Sequence, residues 1–256
     1  MAAVPGEVQD LSQIETSSTT YESDGASIEA YLARPRGGGS GGGIIVIHEA
    51  FGPVDHIHDL ARRFANIGYT AIAPNLYSRV GAPDVDDIQS VFTKMFGLPD
   101  SQVVRDLEGA AALLRGQPGS NGKVGCIGFC SGGRQTLLYA CSSDTVDAAV
   151  DCWGGFIRRA NQDAVTTPER PTPILDLIDQ LHCPLYAVFG GHDQNPTPTD
   201  AREMEARLQR ARKTSTVEVF EEAGHAFLAD YRPSYHESSA FALWPKIVAF
   251  FETHLR

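Results

Sequence analysis

The stretch Lys123-Val124-Gly125-Cys126-Ile127-Gly128-Phe129-Cys130-Ser131-Gly132-Gly133-Arg134-Gln135-Thr136-Leu137-Leu138-Tyr139 decides the fold. It reads as an apolar strand, an abrupt turn and a helix. The turn, Gly-x-Cys-x-Gly-Gly, has the pattern of a nucleophile elbow with cysteine in place of serine. A residue on so sharp a strand-to-helix turn sits in a strained backbone conformation. Gly128 and Gly132 flank it because a Cβ there would clash where strand and helix cross. Cys130 also lies at a helix N-terminus, where the dipole favours a thiolate.

Outward from this turn, strands alternate with helices. Ile44–Ile47 and Tyr69–Ala73 are apolar runs of the kind buried in parallel sheets. Helix periodicity spans Val54 to Ile67, closed by Gly68, and recurs over Gln102–Arg115 and Pro198–Lys213. Further strands are expected at Asp147–Trp153, Pro184–Phe189 and Ser215–Phe220. Ile14–Tyr21 and Ser27–Arg34 form a hairpin around Ser23-Asp24-Gly25. Residues 37–43, six glycines and a serine, precede a strand, so they read as a connection and not a phosphate loop. Residues 83–98 read as a lid-like helical insertion, and 157–180 as a proline-rich connection. From about Tyr235 a last helix runs to Leu255, and Pro245 should kink it or start a second helix. The pattern predicts an α/β fold: a mostly parallel central sheet, helices on both faces and an N-terminal β-hairpin. Residues 1–13 are expected to be a flexible N-terminus and 14–256 a single domain.

Net charge is −11 over 256 residues and the pI is about 5.1, which argues against nucleic acid and membrane surfaces as partners. No apolar run is long enough to span a bilayer. MAAVPGEVQD has neither a basic start nor an apolar core, so no secretory signal is read. Five cysteines without framework spacing point to free thiols and a cytoplasmic location. A small-molecule substrate is expected, met by a monomer or homodimer without a cofactor. Asp55-His56-Ile57-His58-Asp59 has metal-ligand residue types, but residues two apart on a helix point to different faces, so no metal is expected.

Ligands of such sheets bind outside the carboxyl ends of the strands. Glu49, Arg79, Cys130, Asp193 and His225 all fall just past expected strand ends. A cysteine nucleophile needs a base, and the base needs a group to orient it. Asp193 follows Cys130 by 63 residues and His225 follows Asp193 by 32, giving the order nucleophile, acid, histidine. The backbone N–H groups of Ser131 and of Ala50, in the loop after the first parallel strand, are the candidate oxyanion donors.

The motifs Ala73-Pro74-Asn75-Leu76-Tyr77-Ser78-Arg79, Gly128-Phe129-Cys130-Ser131-Gly132-Gly133, Gly190-Gly191-His192-Asp193 and Gly224-His225-Ala226-Phe227, with His48-Glu49-Ala50-Phe51-Gly52, resemble the dienelactone hydrolase (carboxymethylenebutenolidase) family of the α/β-hydrolase fold. The resemblance covers nearly all of the chain beyond the hairpin. It implies a Cys130–His225–Asp193 triad working through a thioester on lactones or small esters. It implies that Glu49 engages the resting thiol, and that Arg79 binds a substrate carboxylate. The family's second anion-binding arginine would fall at Ala229, and Arg232 is the nearest substitute. Tyr77, Phe51, Trp153, Phe156 and Phe227 are candidates for an aromatic substrate pocket. The alternatives are a general carboxylesterase or thioesterase with neutral acyl substrates, and a non-catalytic scaffold relative.

Overall fold

The computed structural model describes residues 4–39, 41–158 and 166–256. Eight strands form one sheet: β1 (Ile14–Ser23), β2 (Ala26–Pro35), β3 (Gly43–Ile47), β4 (Thr70–Pro74), β5 (Val124–Phe129), β6 (Ala148–Cys152), β7 (Leu185–Gly190) and β8 (Ser215–Phe220). Their order is β1-β2-β4-β3-β5-β6-β7-β8. The β1–β2 and β2–β4 pairs are antiparallel and the remaining pairs parallel. The hairpin turn uses Asp24 and Gly25 at φ 48° and 73°, as a two-residue connection matching the twist of its strands requires.

Alternation along β3 distributes the core. Ile45 and Ile47 pack with helices α3 (Asp100–Arg115), α4 (Ser131–Ser142) and α5 (Pro198–Arg210). Ile44 and Val46 pack with α1 (Asp55–Asn66) and α6 (Glu237–Leu255) on the other face. The short helix α2 (Ile88–Phe96) lies in the segment expected to be a lid.

One expectation about the C-terminal end needs correction. α6 runs unbroken through Pro245. An interior proline costs about 3 kcal/mol, but α6 buries Leu243, Trp244, Ile247 and Phe251, and each such side chain contributes about 1.5–3 kcal/mol. Near the N-terminus Pro5 and Gly6 touch the body of the protein, while most of residues 7–13 are exposed. Pro5 is buried, and its carbonyl accepts a 3.1 Å hydrogen bond from the buried Arg63. Gly6 lies so close to Trp244 that a Cβ would meet the indole at 2.5 Å.

Candidate active site

The turn after β5 is built by close backbone approach. A Cβ on Gly128 would meet the Gly132 carbonyl oxygen at 2.0 Å, and one on Gly132 would meet the Ile47 oxygen at 2.4 Å. Cys130 is forced to φ 56°, ψ −117°, outside the regions an L-residue favours, and caps α4. Its N–H donates to the Cys152 carbonyl at 3.0 Å, which pins the turn to β6. Trp153, Phe156 and Ala226 also have positive φ, so backbone strain gathers at this edge of the sheet.

Asp193 and His225 are brought together by their backbones. Gly190 and Gly191 sit where a Cβ would strike the Gly224 and Glu221 carbonyls, at 2.5 and 2.3 Å. His192 donates its N–H to the Ala223 carbonyl at 2.9 Å. This seam puts His225 Nδ1 2.7 Å from Asp193 Oδ2, while Asp193 Oδ1 accepts from the Asn195 N–H at 2.9 Å. His225 is also hydrogen-bonded to Cys130. Burial alone would lower its pKa, but the bonds to Asp193 and Cys130 and the charges of both outweigh burial and raise it to about 10.

Cys130, Ser131 and His225 open into a cavity of about 200 Å³, completed by Phe92 and Met95 of α2 and by Phe156, Arg134, Arg170 and Asn195. That is smaller than the roughly 300–1,000 Å³ of most ligand pockets, and so suits a small acyl group. A larger open groove of about 550 Å³ runs past Glu29, Tyr31, His58 and Asn75, but no member of the cysteine–histidine–aspartate set lines it.

Comparison with known proteins places the chain in a family. Residues 28–255 match the dienelactone hydrolase family. A protein of Escherichia coli (strain K12) named "Putative carboxymethylenebutenolidase" is 36% identical over 239 residues, covering 92% of this chain and 86% of its own. The chain belongs to the dienelactone hydrolase family. It is accordingly a hydrolase of the carboxylic ester class. Among solved structures, the "Putative Dienelactone Hydrolase from Klebsiella pneumoniae subsp. pneumoniae" superposes with a TM-score of 0.87 at 36% identity, covering 94% of this chain and 99% of that one. A cold-adapted esterase from an Arctic intertidal metagenomic library shares the α/β-hydrolase fold, with a TM-score of 0.72 at 18% identity and 98% and 97% coverage.

The structure gives several of the expected site residues partners of their own. Glu49 is 1% exposed, and its carboxylate accepts from Tyr231 Oη at 2.9 Å and from Arg232 Nη1 at 3.4 Å. Among the described residues no hydrogen bond joins it to Cys130. A buried carboxylate is best satisfied by charged and neutral donors together, and the loop after His225 supplies both. Arg232 is thereby committed to Glu49, with its guanidinium 4.6 Å over the Phe51 ring.

Arg79 does not line the cavity. It pairs with both oxygens of the buried Asp106 and donates to the Ser23 carbonyl, tying the hairpin to α3. This ion pair holds Arg79 away from the cavity wall. Trp153 and Phe227 lie tilted against each other inside the core, ring centroids 4.6 Å apart, Tyr77 is buried, and Phe51 lies under Arg232; of the five aromatics only Phe156 lines the cavity.

Tyr77 serves the site from behind. Its hydroxyl donates to the Ala50 carbonyl at 2.8 Å, fixing the turn after β3. His48 fixes the same turn: Nε2 accepts from the Leu76 N–H at 3.2 Å, which leaves Nδ1 to donate to the Glu49 carbonyl at 2.6 Å. Burial lowers the His48 pKa to about 4, so it holds this neutral tautomer. No acceptor for the Ala50 or Ser131 N–H is found among the described residues. On α1, His56 turns to Asp230 at 2.9 Å and His58 stacks on Tyr31 at 4.3 Å.

The sequence reading missed Tyr231, Arg134 and Arg170. Tyr231 and Arg232 follow His225 by six and seven residues. Only the packing of that loop against the turn after β3 shows that they meet Glu49.

Proposed function

We propose that this protein hydrolyses small esters or lactones through a Cys130–His225–Asp193 triad and a thioester intermediate. The observation that carries the reading is His225, hydrogen-bonded at once to Asp193 (2.7 Å) and to Cys130 at the wall of the cavity. Sγ of Cys130 adds to the ester carbonyl. The oxyanion is received by the Ser131 and Ala50 N–H groups, each such donor contributing about 2.7–4 kcal/mol in acyl transfer. The carbonyl–oxygen bond to the alcohol then breaks, and the proton held by His225 goes to the departing oxygen. Water enters and gives a proton to His225 as its oxygen bonds to the thioester carbon. The C–S bond breaks, and the acid leaves with the sulfur back in its pair with His225. Glu49 is held by Tyr231 and Arg232. All five cysteines are free, which supports a reducing, cytoplasmic setting.

Cys130→Ala is expected to abolish turnover of p-nitrophenyl acetate and of an enol-lactone, measured by product absorbance. A wild-type rate in that variant overturns the assignment. Neutral acyl substrates form a second reading, favoured by the commitment of Arg79 to Asp106 and of Arg232 to Glu49. A substrate panel pairing acidic with neutral esters separates the two.

A further inference from the structure

Three phenylalanines gather at the cavity without being buried. Phe92, Phe96 and Phe156 are 40%, 38% and 47% exposed. Phe92 and Phe156 line the cavity beside Cys130. The rings form a row: Phe92 and Phe96 are tilted with centroids 6.1 Å apart, and Phe96 meets Phe156 edge-on at 5.0 Å. The Arg170 guanidinium lies 4.8 Å over Phe96, and its Nη2 donates to the Met95 carbonyl in the last turn of α2, which fixes that end of the row. Clustered apolar surface left in water is unfavourable, and such clusters mark binding sites. Phe156 is held there against its backbone preference. Its φ is 53°, in the left-handed region that a bulky L-residue avoids. Its N–H donates to Asn195 Oδ1 at 3.1 Å, and the preceding Gly155 packs so tightly on Asn195 that a Cβ would meet its Cγ at 3.2 Å. The following Ile157 is buried, and its carbonyl accepts from the Leu175 N–H at 2.9 Å. The chain is thus anchored on both sides of a strained residue whose own ring is half exposed. That strain gains nothing for the core; it places a ring at the cavity. Asn195 also donates its N–H to Asp193 at 2.9 Å, so the ring and the Asp193–His225 pair share an anchor.

We propose that Phe156, Phe92 and Phe96 form a subsite for a flat apolar ring carried on the alcohol part of the substrate ester. The inference rests on the hydrolase reading of the cavity and narrows it to neutral esters joining a small acid to a ring-bearing alcohol. The strand order β3-β5-β6-β7-β8 decides which part of the ester meets the rings. Phe156 follows β6, so it stands on the side of Cys130 that carries His225 and away from Ala50 after β3. The departing oxygen takes its proton from His225, and the alcohol therefore leaves along the side where Phe156 stands. The cavity of about 200 Å³ keeps the acyl part small. An incoming ring meets Phe156 and Phe92 in the offset or edge-to-face contacts that aromatic quadrupoles favour, and it covers surface that is otherwise wet.

The test compares kcat/KM for benzyl acetate and ethyl acetate, whose leaving alcohols are of similar basicity, by titrating the acid released. Alongside it, Cys130 is alkylated with N-phenyliodoacetamide and with iodoacetamide, which share one electrophilic carbon, and the site of modification is mapped by mass spectrometry. Phe156→Ala is expected to lower the benzyl-to-ethyl ratio and the phenyl-to-unsubstituted alkylation ratio by roughly tenfold each, the value of one aromatic contact. Phe156→Tyr keeps the ring and should keep both ratios. Phe92→Leu, a good helix former in α2, should lower them less, and it decides the matter if Phe156→Ala does not fold. Unchanged ratios in the variants, or an equal fall for both members of each pair, overturn the inference. Ethyl phenylacetate carries its ring on the acyl side and should be indifferent to Phe156→Ala; a loss equal to that of benzyl acetate overturns the placement of the alcohol. If no ester turns over while alkylation stays Phe156-dependent, the hydrolase reading fails and the ring subsite stands. If the esters turn over with no Phe156-dependent selectivity in either assay, the ring subsite fails and the hydrolase reading stands.

Discussion

Asp193 and Glu49 are two carboxylates at the same edge of the sheet, 4% and 1% exposed, and both are held by the loop that begins at Ala223. Burial alone does not separate them; their partners do. Asp193 meets an imidazole, which can take and give a proton. Glu49 meets a guanidinium, which stays charged, and a phenol. The first pair can carry a proton through a reaction cycle, whereas the second fixes a charge in place. Tyr231 and Arg232 are the partners that hold Glu49 in this structure.

The largest effect expected from breaking this contrast is at Asp193. Asp193→Asn keeps the shape but lets the amide favour the wrong imidazole tautomer, and kcat/KM for a small ester should fall by about 10⁴-fold. A loss under tenfold would place the orienting role elsewhere.

Next is Arg232. Arg232→Met removes the charged partner of the buried Glu49 and should cost about 1.5–3 kcal/mol of stability in denaturant unfolding. Unchanged stability would mean the 3.4 Å contact contributes little to holding the carboxylate.

The smallest effect concerns pH. The folded pKa of His225 is raised to about 10 from an ordinary 6.5. A raised histidine contributes stability that is fully present below about 6.5 and is lost as pH rises through about 10. The melting temperature should therefore fall more between pH 7 and 10 in the wild type than in His225→Gln. Parallel curves would show that the His225 pair adds nothing to folding.

Much of this was legible in the residues. The Gly-x-Cys-x-Gly-Gly turn demanded close backbone crossing, and Gly128 and Gly132 are indeed where no Cβ fits. The alternation of apolar runs and amphipathic helices gave the parallel sheet, because periods of 2 and 3.6 are properties of local chain geometry. The order of Cys130, Asp193 and His225 was readable for the same reason: each sits one turn beyond a strand, and the sheet aligns strand ends.

The sequence by itself determined the scaffold and which candidate reacting groups stand at the strand ends. Tertiary structure alone decided the counter-charges. Arg79, Arg134, Arg170 and Arg232 are chemically alike in the sequence. Asp106, Asp100 and Glu49 claim three of them across separations of 27, 34 and 183 residues, leaving Arg170 at the cavity. Such pairings follow from how helices and loops dock on the sheet, and an ion pair leaves no periodic trace in the chain.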